Sequence, residues 1–164
     1  MADKKLYQLA EQVGLALKAG GVMLATAESC TGGGVAQAVT MVPGSSEWFE
    51  RGFVTYTNIS KREMLGVSAD TLAQHGAVSE ATVREMVRGC LAGSHAQVGV
   101  AVSGTAGPSG GTPEKPVGTV CFAWGVKDGE CRAETRRFSG DRDAVRVQSV
   151  EYALQGILRL LEDG

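Results

Sequence analysis

Residues 22–34, Val22-Met23-Leu24-Ala25-Thr26-Ala27-Glu28-Ser29-Cys30-Thr31-Gly32-Gly33-Gly34, pass from a largely apolar run, interrupted only by Thr26, into a turn of hydroxyls and glycines. The run 22–27 is too short for a helix and follows Gly20-Gly21, so it reads as a buried strand. The glycines after it open a helix running towards Met41. In open α/β sheets, side chains that do chemistry gather where strands end and loops form a crevice. Ser29 stands at such a point. A helix start also presents unpaired N–H groups and a partial positive charge, which the backbone at Thr31, Gly32 and Gly33 would aim at an anion. By spacing alone Ser29 is equally a helix cap.

Working outward, Leu6, Leu9, Val13, Ala16 and Leu17 recur at helical spacing, giving an amphipathic helix that stops at Gly20-Gly21. On the other side Pro43-Gly44 breaks the chain, and Ser45 or Ser46 is expected to cap a short turn carrying Trp48 and Phe49. Residues 51–57 form a strand by composition, and Asn58 is the expected N-cap of a helix over 59–65 closed by Gly66. Ser68 caps a short helix ending near Gly76. Ser79 caps a longer one with Val83, Met86, Val87, Cys90 and Leu91 on its buried stripe. A strand over 97–103 leads into the glycine-rich segment 104–111. Residues 117–126 and 130–138 pair as a hairpin about Asp128-Gly129, and a last helix over 141–161 turns Val150, Leu154, Ile157 and Leu161 inward. Strands alternating with helices, plus one hairpin, predict a single-domain three-layer α/β/α sandwich on a mixed β-sheet, with residues 1–164 as one domain.

Composition narrows the function. The net charge of −2 gives no basic surface for nucleic acid. No apolar run approaches the roughly 20 residues that span a bilayer, and no signal-peptide core follows the N-terminus, so a cytoplasmic location without membrane association is expected. Four cysteines without Cys-x-x-Cys spacing and only two histidines argue against a metal site. The Walker A string, the Gly-x-Gly-x-x-Gly fingerprint and any Ser-x-x-Lys pair are absent from the sequence, and no Gly-x-Ser-x-Gly elbow surrounds Ser29. Cys30, beside Ser29, is a competing thiol nucleophile, though neither His75 nor His95 sits in a recognisable Cys-His motif.

Ala27-Glu28-Ser29-Cys30-Thr31-Gly32-Gly33 resembles the signature of the CinA C-terminal domain family. Gly44-Ser45-Ser46, Gly52-Phe53-Val54-Thr55-Tyr56, Lys61, Gly76-Ala77-Val78-Ser79, Ser103-Gly104-Thr105-Ala106-Gly107-Pro108, Lys115-Pro116-Val117-Gly118-Thr119-Val120 and Phe138-Ser139-Gly140-Asp141-Arg142 extend the likeness over nearly the whole chain. Within the family the chain looks most like the stand-alone nicotinamide-nucleotide amidases, without the N-terminal nucleotide-hydrolase domain of longer members. The resemblance implies hydrolysis of nicotinamide mononucleotide to nicotinate mononucleotide and ammonia in pyridine-nucleotide recycling. It implies a Ser29–Lys61 catalytic pair with Tyr56 beside it, no cofactor, a small-molecule nucleotide as substrate, and a homo-oligomer.

With those roles in view, the residues supply physical reasons. A lysine base working at neutral pH needs a proton affinity well below the free value of about 10.4. A helix dipole contributes about 0.3–1 kcal/mol, less than one power of ten, so desolvation must supply most of the change and Lys61 is expected to be buried once substrate is bound. Tyr56, expected near its strand end on the face of Val54, either relays the proton or is a half-buried strand aromatic. Ser46 is a candidate second serine between nucleophile and lysine. For the nucleotide, the segment 104–111 with Thr105 and Gly107 is either an anion nest or a surface loop. Arg142 at the last helix start would suit a phosphate or stand solvated, and Glu28 would face the pyridinium cation or pair with a neighbouring base. The rival functions are a non-catalytic nucleotide-binding or regulatory module and a thiol hydrolase using Cys30.

Overall fold

The computed structural model describes residues 2–163. The opening amphipathic pattern forms α1 (Ala2–Gly20), with Val13 and Leu17 fully buried. β1 (Leu24–Glu28) is buried at all five positions, as an inner strand of a sheet covered on both faces must be. After it come α2 (Gly34–Thr40), a 3-10 turn at Ser45–Glu47, and β2 (Phe49–Val54). Three helices follow, α3 (Asn58–Leu65), α4 (Ala69–His75) and α5 (Glu80–Ala92). β3 (Val98–Gly104), β4 (Thr119–Val126), β5 (Cys131–Arg137) and α6 (Arg142–Asp163) complete the chain.

The sheet has the order β2-β1-β3-β4-β5. β1 runs parallel to both β2 and β3, while β4 and β5 fold back antiparallel, so the sheet is mixed as expected. Side chains alternate across it. Leu24, Val98, Val100 and Val102 pack with Val13, Leu17, Leu154 and Ile157 of the α1 and α6 layer. Ala25, Ala27 and Ala101 pack with Leu65, Val83, Met86, Val87 and Cys90 of the α3 and α5 layer. This is the three-layer sandwich read from the sequence.

Two close approaches lock the layers. Trp124 lies so near Gly156 that a Cβ there would sit 2.0 Å from the indole, and its Nε1 donates to the Ala153 carbonyl at 2.9 Å. On the opposite face a Cβ at Gly89 would sit 1.9 Å from the Leu65 carbonyl oxygen. Only glycine lets the end of α3 dock this closely on α5.

Three local expectations are corrected. Thr57, not Asn58, caps α3: its hydroxyl accepts the Ser60 N–H while the Ser60 hydroxyl accepts the Thr57 N–H. That reciprocal box draws the chain out of the ladder, so β2 ends at Val54 instead of reaching 57. Neither Ser45 nor Ser46 caps the 3-10 turn; Gly44, in the left-handed conformation, precedes it without a side-chain cap. Ser68 and Ser79 cap α4 and α5 as expected.

Candidate active site

The parallel strands β2, β1 and β3 end side by side, and the residues just past their ends build the site. Ser29 continues the β1 ladder by one step, its N–H donating to the Val102 carbonyl at 2.9 Å. Thr55 does the same from β2, donating to the Glu28 carbonyl at 2.7 Å. The capping box at Thr57 then turns the chain into α3, whose N–H at Lys61 closes onto the Thr57 carbonyl at 3.1 Å. Lys61 is therefore in the first turn, one position later than an Asn58 cap would put it.

Its side chain runs inward. Lys61 is 1 % exposed, and Nζ donates to the Ser29 hydroxyl oxygen at 2.9 Å and to the Thr55 carbonyl at 3.0 Å. Burial without a carboxylate partner disfavours the ammonium, so desolvation holds its proton affinity below the ordinary lysine value. The protein's own residues suffice to bury the side chain. Both partners of Nζ are oxygen acceptors, and neither carries a charge to stabilise the protonated form.

The other expected residues divide. Tyr56 lies past the end of β2 and is 58 % exposed. Its hydroxyl accepts from Arg142 Nη2 at 2.9 Å, away from the Ser29–Lys61 pair. Arg142, the first residue of α6, also donates through Nη1 to the Gly107 carbonyl at 2.8 Å. Arg142 thus spans the mouth of a cavity of about 240 Å³ that includes Ser29, Lys61, Tyr56, Thr105 and Gly107 in its lining. Thr105 is pinned through its backbone, donating to the Thr119 carbonyl and accepting from the Gly118 N–H.

Glu28 is turned the other way. It is 1 % exposed, and its carboxylate accepts from the Thr31 hydroxyl at 2.5 Å and from the Val35 and Ala36 N–H groups at 2.9 and 3.0 Å. It therefore neutralises the N-terminal end of α2 from inside the protein and does not face the cavity. The same contacts bury the Thr31 hydroxyl. Gly32 N–H is committed to the Ser29 carbonyl at 3.0 Å, which removes one of the donors expected for an oxyanion. Gly33, half-buried, holds a left-handed backbone at the start of α2. Ser46 is exposed on the 3-10 turn that leads into the Leu24 end of the sheet. The five residues of β1, roughly 3.3 Å each, separate it from Ser29, so within one chain Ser46 is not part of this site.

Cys30 lines the cavity wall, yet its thiol is 6 % exposed and pushed up to about 12 by burial and then by the charge of Glu28. All four cysteines are free thiols.

Three neighbours escaped the sequence reading. The Thr55 carbonyl holds Lys61, and a backbone acceptor leaves no trace in residue type. Ser103, 1 % exposed, lines the cavity from β3. Arg146, one helical turn after Arg142, donates to the Thr31 carbonyl at 3.3 Å and keeps its Nε buried without a partner. The i, i+4 arginine pair at the start of α6 was the available signal for Arg146. Among the described residues no three His, Cys, Asp or Glu side chains gather as metal ligands, and no helix is long and apolar enough to cross a membrane.

The family model for the CinA C-terminal domain matches residues 6–161. The chain is 59% identical over 155 residues to nicotinamide-nucleotide amidohydrolase PncC of Escherichia coli K12, covering 94% of both chains. It is 55% identical over 153 residues to the PncC of Pseudomonas putida, covering 93% of this chain and 94% of that one. The crystal structure of the competence/damage inducible protein CihA from Agrobacterium tumefaciens superposes with a TM-score of 0.93 at 43% identity, covering 95% of each chain. By matched length, identity and fold alike, the chain belongs to the CinA C-terminal domain family.

Proposed function

We propose that the protein is a nicotinamide-nucleotide amidase that hydrolyses the carboxamide of nicotinamide mononucleotide through a Ser29 acyl-enzyme. The observation that carries the reading is the 2.9 Å contact between the Ser29 hydroxyl and a lysine amine that is 1 % exposed. High identity to amidohydrolases of that name, over nearly the full length of both chains, supports the substrate. A non-catalytic binding module has no use for a desolvated amine on a serine hydroxyl.

The chemistry takes two steps. Neutral Lys61 accepts the Ser29 proton as Oγ attacks the carboxamide carbon, and the resulting oxyanion lies against the Thr31 and Gly33 N–H groups, that of Gly32 being committed to the Ser29 carbonyl. The tetrahedral species collapses as the leaving nitrogen takes that proton, and ammonia departs. Water then attacks the ester, gives its proton to Lys61, and nicotinate mononucleotide leaves with Ser29 restored. Arg142, at the mouth and at a helix start, is the group suited to the phosphate. Salvage of pyridine nucleotides in the cytoplasm is the setting that fits such a reaction and four free thiols.

The test is ammonia release from nicotinamide mononucleotide by the purified protein. Stoichiometric ammonia and nicotinate mononucleotide, lost in Ser29→Ala, are the expected result. Binding without turnover, or turnover that survives Ser29→Ala, overturns the proposal.

A further inference from the structure

β1 and β3 are parallel and in register, with Glu28 opposite Val102, so the next residues, Ser29 and Ser103, face each other across neighbouring strand ends. Adjacent strands lie about 4.8 Å apart. Alternation turns both side chains to one side of the sheet. Ala27 and Ala101, two residues before them, both pack into the α3 and α5 layer, and both serines line the same cavity. Ser103 is 1 % exposed as a residue, and it lines the cavity where a substrate would bind.

Its position relative to Lys61 decides what it meets. Lys61 reaches Ser29 from the β2 flank, anchored on the Thr55 carbonyl. Ser103 stands on the β3 flank. In attack on a carboxamide the leaving nitrogen must lie by the lysine that protonates it, which puts the carbonyl oxygen on the opposite flank. The expected backbone donor at Gly32 is already committed to the Ser29 carbonyl, so the turn alone offers fewer N–H groups than its sequence promised.

We infer that the Ser103 hydroxyl donates a hydrogen bond to the substrate carbonyl oxygen as it becomes an oxyanion, making Ser103 a further catalytic residue. The inference rests on the amidase reading and deepens it. A strand-borne hydroxyl is held by the ladder on both sides, and such preorganised donors act at the charge that develops, not at the bound ground state.

The experiment compares wild type, Ser29→Ala, Ser103→Ala and Ser103→Thr on nicotinamide mononucleotide, with melting temperatures taken alongside. For Ser103→Ala, kcat is expected to fall about 10²- to 10³-fold, the usual effect of losing one oxyanion donor, while KM changes less than about threefold. Ser103→Thr restores a hydroxyl and recovers most of kcat. An aldehyde analogue of the substrate, which forms a tetrahedral adduct with Ser29, is expected to lose affinity for Ser103→Ala by the same factor as kcat. If wild type is active and Ser29→Ala is dead but Ser103→Ala keeps its kcat, the Ser103 assignment fails while the amidase reading stands. A rise in KM with kcat unchanged also overturns it. If wild type releases no ammonia, the reading beneath it has failed instead.

Discussion

Arg142 and Tyr56 meet across the mouth of the cavity, guanidinium to phenol oxygen at 2.9 Å, while the same guanidinium holds the Gly107 carbonyl at 2.8 Å. The tyrosine is therefore a partner of the arginine and is not bonded to the serine–lysine pair. Tyr56→Phe removes an acceptor that positions Arg142, and it is expected to raise KM for nicotinamide mononucleotide several-fold with kcat within about threefold of wild type. Arg142→Ala is expected to raise KM about 10- to 100-fold, the scale of a lost charge-assisted hydrogen bond. Steady-state kinetics on both variants check this; a collapse of kcat in Tyr56→Phe would return the tyrosine to the proton path.

The buried amine should show itself in the pH profile. Desolvation lowers the proton affinity of Lys61, and the base is the neutral form, so kcat/KM is expected to rise through an acid limb set well below the ordinary lysine value of about 10.4. A limb at the ordinary value would mean that the lysine is solvated in the working enzyme.

Stability carries the same signature. The unfolded chain holds the Lys61 proton up to about pH 10.4, whereas the folded chain gives it up earlier, so between those two points the unfolded state binds more protons and stability rises with pH. The contribution of this group is complete above the unfolded value and is lost as pH falls through the folded one. Lys61→Met keeps the volume and removes the charge. It is expected to be inactive yet to melt several degrees higher at pH 7, at about 2–4 °C per kcal/mol. That advantage should shrink as pH approaches 10.4, which thermal melts across the alkaline range will show.

Cys30 offers a control on the nucleophile. Its thiol is buried and pushed up to about 12, so almost no thiolate exists at neutral pH. Cys30→Ala is expected to keep kcat within a few-fold in the ammonia assay, and iodoacetamide should leave native enzyme active over the time of the measurement.

The seat of α3 gives a prediction remote from the chemistry. A methyl group at Gly89 would lie 1.9 Å from the Leu65 carbonyl oxygen, four residues along α3 from Lys61. Gly89→Ala is expected to cost about 1–3 kcal/mol of stability by overpacking. It should also lower kcat at temperatures where the variant remains folded, because α3 must move and takes the amine with it. Denaturant melts paired with kinetics separate the two effects.

The layered fold was legible because its signals are local. Period-two and period-3.6 patterns, Ser68 and Ser79 as caps, and Asp128-Gly129 at the hairpin all act over a few residues. The start of α3 misled by one residue because Asn58 and Thr57 are both good caps, and only the reciprocal bond with Ser60 chooses between them. Ser29 and Lys61 were named from a family likeness; nothing in their 32-residue separation says that they touch. Ser46, offered as a second serine between nucleophile and lysine, lies at the Leu24 end of the sheet within one chain, because residue type does not say which end of a strand a residue attends. Glu28 was misread for a related reason, since a carboxylate at a strand end can turn to either side, and here two helix N–H groups on the far side claim it.

Strand parity gives the alternation of β1 a last consequence. Odd-numbered Ala25 and Ala27 face the layer that delivers Lys61, whereas Leu24 and Cys30 face the other. Deleting a single residue from β1 would swap the two sets, carrying the hydroxyl away and presenting sulfur to the amine. Whether oxygen or sulfur meets the Lys61 amine is therefore written in the phase of one five-residue strand as much as in the identity of the residue that ends it.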